Sequence, residues 1–219
     1  MKLLAAGRAS QIYDLGDGRV LRRFVGVGFP EREAAVMEHA RAHGFPVPRV
    51  LEQQHDGLLL EKVEGRTMAQ DLWRRPWRAG AHARSLADLH AQLHAIPALD
   101  SLSALDEGDA VLHLDLHPLN VILSRAGPVV IDWTNARRGT PEVDVALTWL
   151  ITMTSAPAPA RVFGRAFARA VGRDAIARGL RTAADFRLRD PNVSDVERRR
   201  VLARLERGSL AQPSRPIQR

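Results

Sequence analysis

The stretch HLDLHPLNVIL, residues His113–Leu123, is the point on which the architecture of this chain turns. His113, Asp115 and His117 stand at every second position, and alternate residues of an extended segment share one face. Three readings are open: a His-Asp-His metal trio, a catalytic loop feeding a strand, or a polar turn that binds nothing. The trio would suit zinc with a water in the fourth position. That reading leaves Asn120, and the acid that follows it, without a role.

The acid is Asp132, at the end of a short apolar strand in PVVIDW. If NVIL and VVID pair as a hairpin through SRAG, Asn120 and Asp132 come to lie side by side. Both then offer oxygen to a hard cation such as Mg²⁺. Asp115, five residues before Asn120, can orient a hydroxyl and accept its proton. A carboxylate base and oxygen ligands for a metal are parts that phosphoryl transfer needs.

Upstream, GRASQIYDLGDGRVLRRF holds two short β-like runs joined by a Gly-Asp-Gly turn, a hairpin signal. PEREAAVMEHARAHG opens with Pro30, continues with acids in its first turn and stops at Gly44, as a helix does. VLEQQ and GLLLEKV read as two strands turning at Asp56-Gly57. Residues 66–97 turn helical, with Leu86, Leu89, Leu93 and Ile96 on one face. After Gly139 the chain is mostly helical: PEVDVALTWLITM, a break at SAPAPA, and SDVERRRVLARLERG with a Ser194–Glu197 capping box and a stop at Gly208. The order is a β-rich lobe with one helix, then a helical lobe interrupted by the polar cluster.

The 219 residues suffice for two small lobes with a real core. No apolar run approaches the roughly 20 residues that span a bilayer, so no membrane association is expected. Cysteine is absent, which excludes disulfides and Cys-based zinc or redox sites, and a cytoplasmic location is the simplest expectation. The net charge of +7 is unevenly placed. Residues 151–219 hold 15 Arg, no Lys and 6 acids, a net of +9, and residues 1–150 hold 17 basic against 19 acidic residues, a net of −2. No aromatic interleaving or nucleic-acid motif accompanies the arginines, so a solvated helix face is the expectation and a nucleic-acid partner is not. His90 and His94 have metal-like i, i+4 spacing, but no third ligand is evident, and they read as polar helix positions. Trp73, Trp77 and Trp149 read as core or lobe-packing residues.

HLDLHPLN followed by VVIDW resembles the aminoglycoside phosphotransferase family, relatives of the protein kinases, whose catalytic loop reads His-x-Asp-x-x-x-x-Asn. The resemblance implies an α+β, protein-kinase-like fold, with a small antiparallel-sheet N-lobe carrying one helix and a mainly helical C-lobe. It implies Asp115 as catalyst, Asn120 and Asp132 as Mg²⁺ ligands, and ATP, or GTP in its place, as phosphoryl donor. His113 and His117 become supporting residues, and Asp144 in GTPEVDVALTW an anchor for the loop. By the same similarity Ser10 and its neighbours cover the phosphates, and Arg22 holds them, set by Glu33, with Glu31 as rival for that role. Ile12, Val20 and Ile131 sandwich the base, which the Glu61 carbonyl and the Val63 amide hold by hydrogen bonds. Residues 1–62 are then the nucleotide-binding lobe, 63–211 the catalytic and acceptor-binding lobe, and 212–219 a flexible tail.

One departure stands out. Arg22 occupies the strand position that is normally Lys. Arg keeps the charge but offers a longer, planar fork. A nucleotide-binding pseudokinase without transfer activity is therefore the alternative to an active kinase. The partners expected are a nucleotide and a hydroxylated small-molecule acceptor; the sequence leaves oligomeric state open. The net charge of +9 in the C-terminal third argues against a polycationic acceptor, and a small hydroxylated metabolite is as credible as an aminoglycoside.

Overall fold

The computed structural model describes the chain apart from residues 8, 9, 27, 156, 158, 159 and 210–219, so the expected tail at 212–219 lies outside the described residues. Five strands form one antiparallel sheet in the order β1-β2-β3-β5-β4: β1 Lys2–Ala6, β2 Ser10–Asp14, β3 Arg19–Phe24, β4 Val50–Gln54 and β5 Gly57–Glu61. The GDG turn joins β2 to β3 with Asp14 opposite Val20. Gly16 and Gly18 both adopt positive φ there, a conformation that side chains with a Cβ resist. Helix α1, Pro30–Ala42, begins at its proline, carries Glu31 and Glu33 in its first turn and ends before Gly44 at φ 80°. Its Val36, Met37 and Ala40 are buried with Phe24, Leu58 and Leu60 of the sheet in one apolar cluster.

Lys62 and the residues after it lead into β6, Arg66–Thr67, and α2, Met68–Arg74, which starts with a capping box between Thr67 and Gln70. Helix α3, Ala79–His94, buries Leu86, Leu89 and Leu93, the periodic face read from sequence, with Ile96 just beyond its end. Each buried leucine contributes about 1.5–3 kcal/mol relative to exposure. Two short sheets follow. β7, Ala110–Leu112, pairs with β10, Arg137–Gly139, and β8, Val121–Ser124, lies between β6 and β9, Gly127–Val130.

Helix α4, Pro141–Thr154, is apolar nearly all round and buried, as a central helix must be. Helix α5, Ala160–Val171, is amphipathic: Phe163, Gly164, Phe167 and Ala168 face inward and its arginines face out. Helix α6, Arg173–Arg189, crosses α4 closely at Gly179, where an added Cβ would lie 2.0 Å from the Glu142 carbonyl oxygen. Helix α7, Asp195–Ser209, follows and runs through Gly208, so that glycine is not a stop. Its capping box is half made. The Ser194 hydroxyl accepts from the Glu197 amide, but the Glu197 carboxylate is drawn away to Ser155 and Arg187. No helix among the described residues is long and apolar enough to cross a membrane.

Candidate active site

Ser10, Ile12, Val20, Arg22, Glu33, Glu61, Val63 and Ile131 all line one cleft of 330 Å³ between the five-stranded sheet and the β8–β9 hairpin. Asn120 and Asp132 line it too. The register of the hairpin explains the last two. Val121 pairs with Val130, and the Ile131 amide donates to the Asn120 carbonyl at 3.0 Å, which sets Asn120 beside the end of β9. Among the described residues the Val63 amide makes no backbone hydrogen bond, leaving a donor in the cleft wall. Pro48, Ile122 and Lys62 also line the cleft. None carries a motif of its own, and only the fold brings them there.

Arg22 is the hub. It is buried, and one of its guanidinium nitrogens lies 2.9 Å from Glu33. A second donates to Asp132 Oδ1 at 2.6 Å and to Thr134 Oγ1 at 2.7 Å. Glu33 is the partner and Glu31 is exposed on the outer face of α1. Arg rather than Lys makes this bridge: a fork can hold two carboxylates at once. Burial alone would push the Asp132 carboxyl up, but the Arg22 charge and hydrogen bond outweigh it and hold it below the usual carboxylate range. Arg22 Nε is buried without a partner, a spare donor on a cationic group in the cleft. Thr134 was not singled out by sequence; its hydroxyl joins Glu33, Asp132 and Arg22 into one network.

The catalytic-loop candidate sits at the edge of this cleft. Asn120 Nδ2 donates to both the Asp115 carbonyl and Asp115 Oδ2, each at 2.9 Å, so its amide oxygen is the atom left for another partner. His117 Nδ1 accepts from the Leu119 amide, which puts the ring proton on Nε2, 3.2 Å from Asp115 Oδ1. His113 Nδ1 accepts from the Asp115 amide while Nε2 donates to the Ile131 carbonyl at 3.2 Å. His113 therefore ties the Asp115 loop to the strand end that carries Asp132. Burial lowers its pKa and keeps the ring neutral. The sequence-level trio does not form a metal site, because the two imidazoles are each spent on backbone and on Asp115.

Two residues of the site adopt positive φ without being glycine: Leu114 at 59° and Asp132 at 67°. Such conformations cost of the order of 1–3 kcal/mol and persist only where surroundings over-determine them. For Leu114 the constraint is Asp144. Its Oδ2 accepts the His113 amide at 3.0 Å and its Oδ1 the Leu114 amide at 2.8 Å.

His94 Nε2 also donates to Asp144, at 3.0 Å, and His90 Nδ1 lies 3.6 Å from it. The third group that the His90–His94 spacing lacked in the sequence is thus Asp144, on the neighbouring helix. Burial would push the Asp144 carboxyl up, but donated hydrogen bonds, that of His94 among them, hold it well below the usual carboxylate range. The Thr148 hydroxyl donates to the Leu116 carbonyl at 2.7 Å, so the hydrogen bond with His90 Nε2, 3.1 Å away, must be donated by the ring. Burial lowers the His90 pKa, and neutral His90 is left with an unpartnered lone pair on Nδ1 facing the carboxylate. Of the tryptophans read as packing residues, Trp149 is half-buried among three apolar clusters, but Trp73 and Trp77 are exposed. The inner face of α2 is taken by Met68 and Asp71, which leaves Trp73 outside.

A family profile described as the phosphotransferase enzyme family matches residues 1–110 and 101–180. No curated protein sequence matches the chain. In fold it is similar to a thermostable mutant of the aminoglycoside phosphotransferase APH(4)-Ia, solved with AMP-PNP and hygromycin B, at 18% identity and TM-score 0.70, over 96% of this chain and 94% of that one. It is also similar to a choline/ethanolamine kinase family protein from Mesorhizobium loti, at 15% identity and TM-score 0.65, over 97% and 88% of the two chains. A choline kinase from Cryptosporidium parvum Iowa II gives 10% identity and TM-score 0.62, over 95% and 88%. These neighbours share the protein-kinase-like architecture expected from the HLDLHPLN and VVIDW motifs. The chain belongs to the phosphotransferase enzyme family, as a kinase-like enzyme with an alcohol group as acceptor.

Proposed function

We propose that the protein transfers the γ-phosphoryl group of ATP to a hydroxyl of a small metabolite, with Asp115 as the base. The observation that carries this reading is the hydrogen-bonded path from Asp115 through Asn120 to a cleft that also holds Asp132, Arg22 and Glu33. The donor set fits Mg²⁺: the Asn120 amide oxygen and the Asp132 carboxylate are hard oxygens, and no thiolate or free imidazole competes. These two residues would hold the ion, whose charge offsets that on the phosphoryl oxygens.

The rest falls to the chain itself. Asp115, steadied by Asn120 Nδ2 and His117 Nε2, is the base that orients the acceptor hydroxyl and receives its proton. Arg22, fixed by Glu33, supplies positive charge beside the phosphates, with Nε as the uncommitted donor. The Val63 amide hydrogen-bonds the base between Ile12, Val20 and Ile131. Catalysis is then mostly positioning and charge neutralisation. A cytoplasmic setting, where ATP is at hand, goes with this reading.

The test is ATP consumption with and without Mg²⁺ across amino alcohols, sugars, macrolides and aminoglycosides, repeated with Asp115→Asn. The reading expects at least one acceptor to be phosphorylated, with turnover falling about 10²–10⁴-fold in the variant while nucleotide binding persists. Nucleotide binding with no transfer to any acceptor and no slow hydrolysis would instead establish the pseudokinase alternative.

A further inference from the structure

The arginines of the C-terminal third are not spread evenly over solvated faces. Arg161, Arg165 and Arg169 form an i, i+4, i+8 stripe on α5, and Arg173 starts α6. With Arg204 of α7 they line one groove of 440 Å³. Its floor is apolar, made by Trp149, Ile176 and Leu180 among others, and among the described residues no carboxylate lines it. The Arg204 guanidinium lies over the Trp149 ring, 5.3 Å from its centroid, so the indole is held at the floor.

The same helices can pair their arginines where acids are supplied: Arg178 bonds Glu142, and Arg187 bonds Glu197 and Asp190. Among the described residues, Arg161, Arg165, Arg169 and Arg173 have no such partner. Like charges at i, i+4 repel, and a concave apolar wall focuses their field. Residues 210–219 add two more arginines and no acid, so their composition does not complement the groove.

We propose that this groove is a second ligand site, separate from the cleft, for a small organic polyanion with a flat apolar body. Guanidinium forks take phosphate, carboxylate or sulfonate groups bidentately. The apolar floor of Trp149, Ile176 and Leu180 takes the ring. A volume of 440 Å³ lies in the range of small-molecule pockets. Arginines from three helices converge on one hollow with an apolar floor, which suits a compact ligand better than an extended nucleic-acid backbone. Among the described residues the groove shares no lining residue with the cleft described above.

Titration of the full chain with pyrenetetrasulfonate, read by calorimetry and by probe anisotropy, tests this. One saturable site is expected, weakened about tenfold or more by Arg165→Gln with Arg169→Gln. Arg178→Gln with Arg181→Gln removes the same charge from outside the groove and should change affinity less than about threefold. Equal weakening by both pairs would mean general charge attraction and overturn the proposal. So would indifference to both pairs, which places the probe elsewhere, absence of saturable binding up to about 1 mM, or binding of duplex DNA alone.

Discussion

Asp132 and Asp144 are both acids that follow the His113–Asn120 loop, and the fold treats them in opposite ways. Asp132 is half-buried at the cleft, holds Arg22 through one oxygen and keeps the other for a further partner. Asp144 is wholly buried, and both its oxygens are taken by the His113 and Leu114 amides, with His94 added. One carboxylate is available for chemistry. The other is consumed in holding a strained loop in place. The difference lies in what surrounds each: a cleft wall for Asp132, and a helix start packed under the loop for Asp144.

That contrast predicts two kinds of damage. Asp132→Ala should lower kcat/KM about 10²–10³-fold, while the melting temperature moves little, because Glu33 still pairs with Arg22. Asp144→Ala should instead cost about 3–5 kcal/mol of stability, since it strands buried donors and a buried imidazole. Chemical denaturation of both variants beside steady-state kinetics separates the two roles. Equal stability losses would break the distinction.

The pH dependence of folding sharpens it further. Burial holds the folded-state pKa values of His90 and His113 below the ordinary imidazole value. The unfolded chain therefore takes up protons first, near pH 6.5, and stability present above that value is lost as pH falls toward the folded pKa values. Melting temperature should fall between about pH 7.5 and pH 5. His90→Gln, which keeps a donor toward Thr148, should flatten that slope. An unchanged slope would remove His90 from the account.

The smallest effect concerns Arg22. Because its fork already grips Asp132 Oδ1, Arg22→Lys should free that oxygen and lower the apparent Mg²⁺ requirement severalfold, with modest change in kcat. A higher Mg²⁺ requirement in the variant would show that the bridge assists the site rather than competing within it.

Much of the site was legible one-dimensionally because strand pairing is local. Asn120 and Asp132 are joined by a tight hairpin, so counting residues placed them together. Helix α1 presents Glu33 inward because Pro30 starts the helix and the apolar stripe at Val36, Met37 and Ala40 sets its rotation. The hydrogen-bond roles of the histidines were not legible. His113 and His117 carry a metal-like spacing, and only their acceptor contacts with the Asp115 and Leu119 amides show where the ring protons sit. Trp73 and Trp77 were misjudged because an aromatic side chain signals burial only on average: the inner face of α2 is taken by Met68 and Asp71, and the short turn Pro76–Arg78 that carries Trp77 buries none of its residues.

The sequence by itself determined the order of elements, the hairpin that unites Asn120 with Asp132, and the cationic C-terminal third. All three depend on neighbours within a short span of chain or on composition. Only the tertiary structure decided that Arg22 bridges Glu33 and Asp132, that Asp144 closes the His90–His94 pair, and that five arginines from three helices share one groove. Those contacts join residues far apart in the chain, and their geometry is set by how helices and sheet pack rather than by any local periodicity.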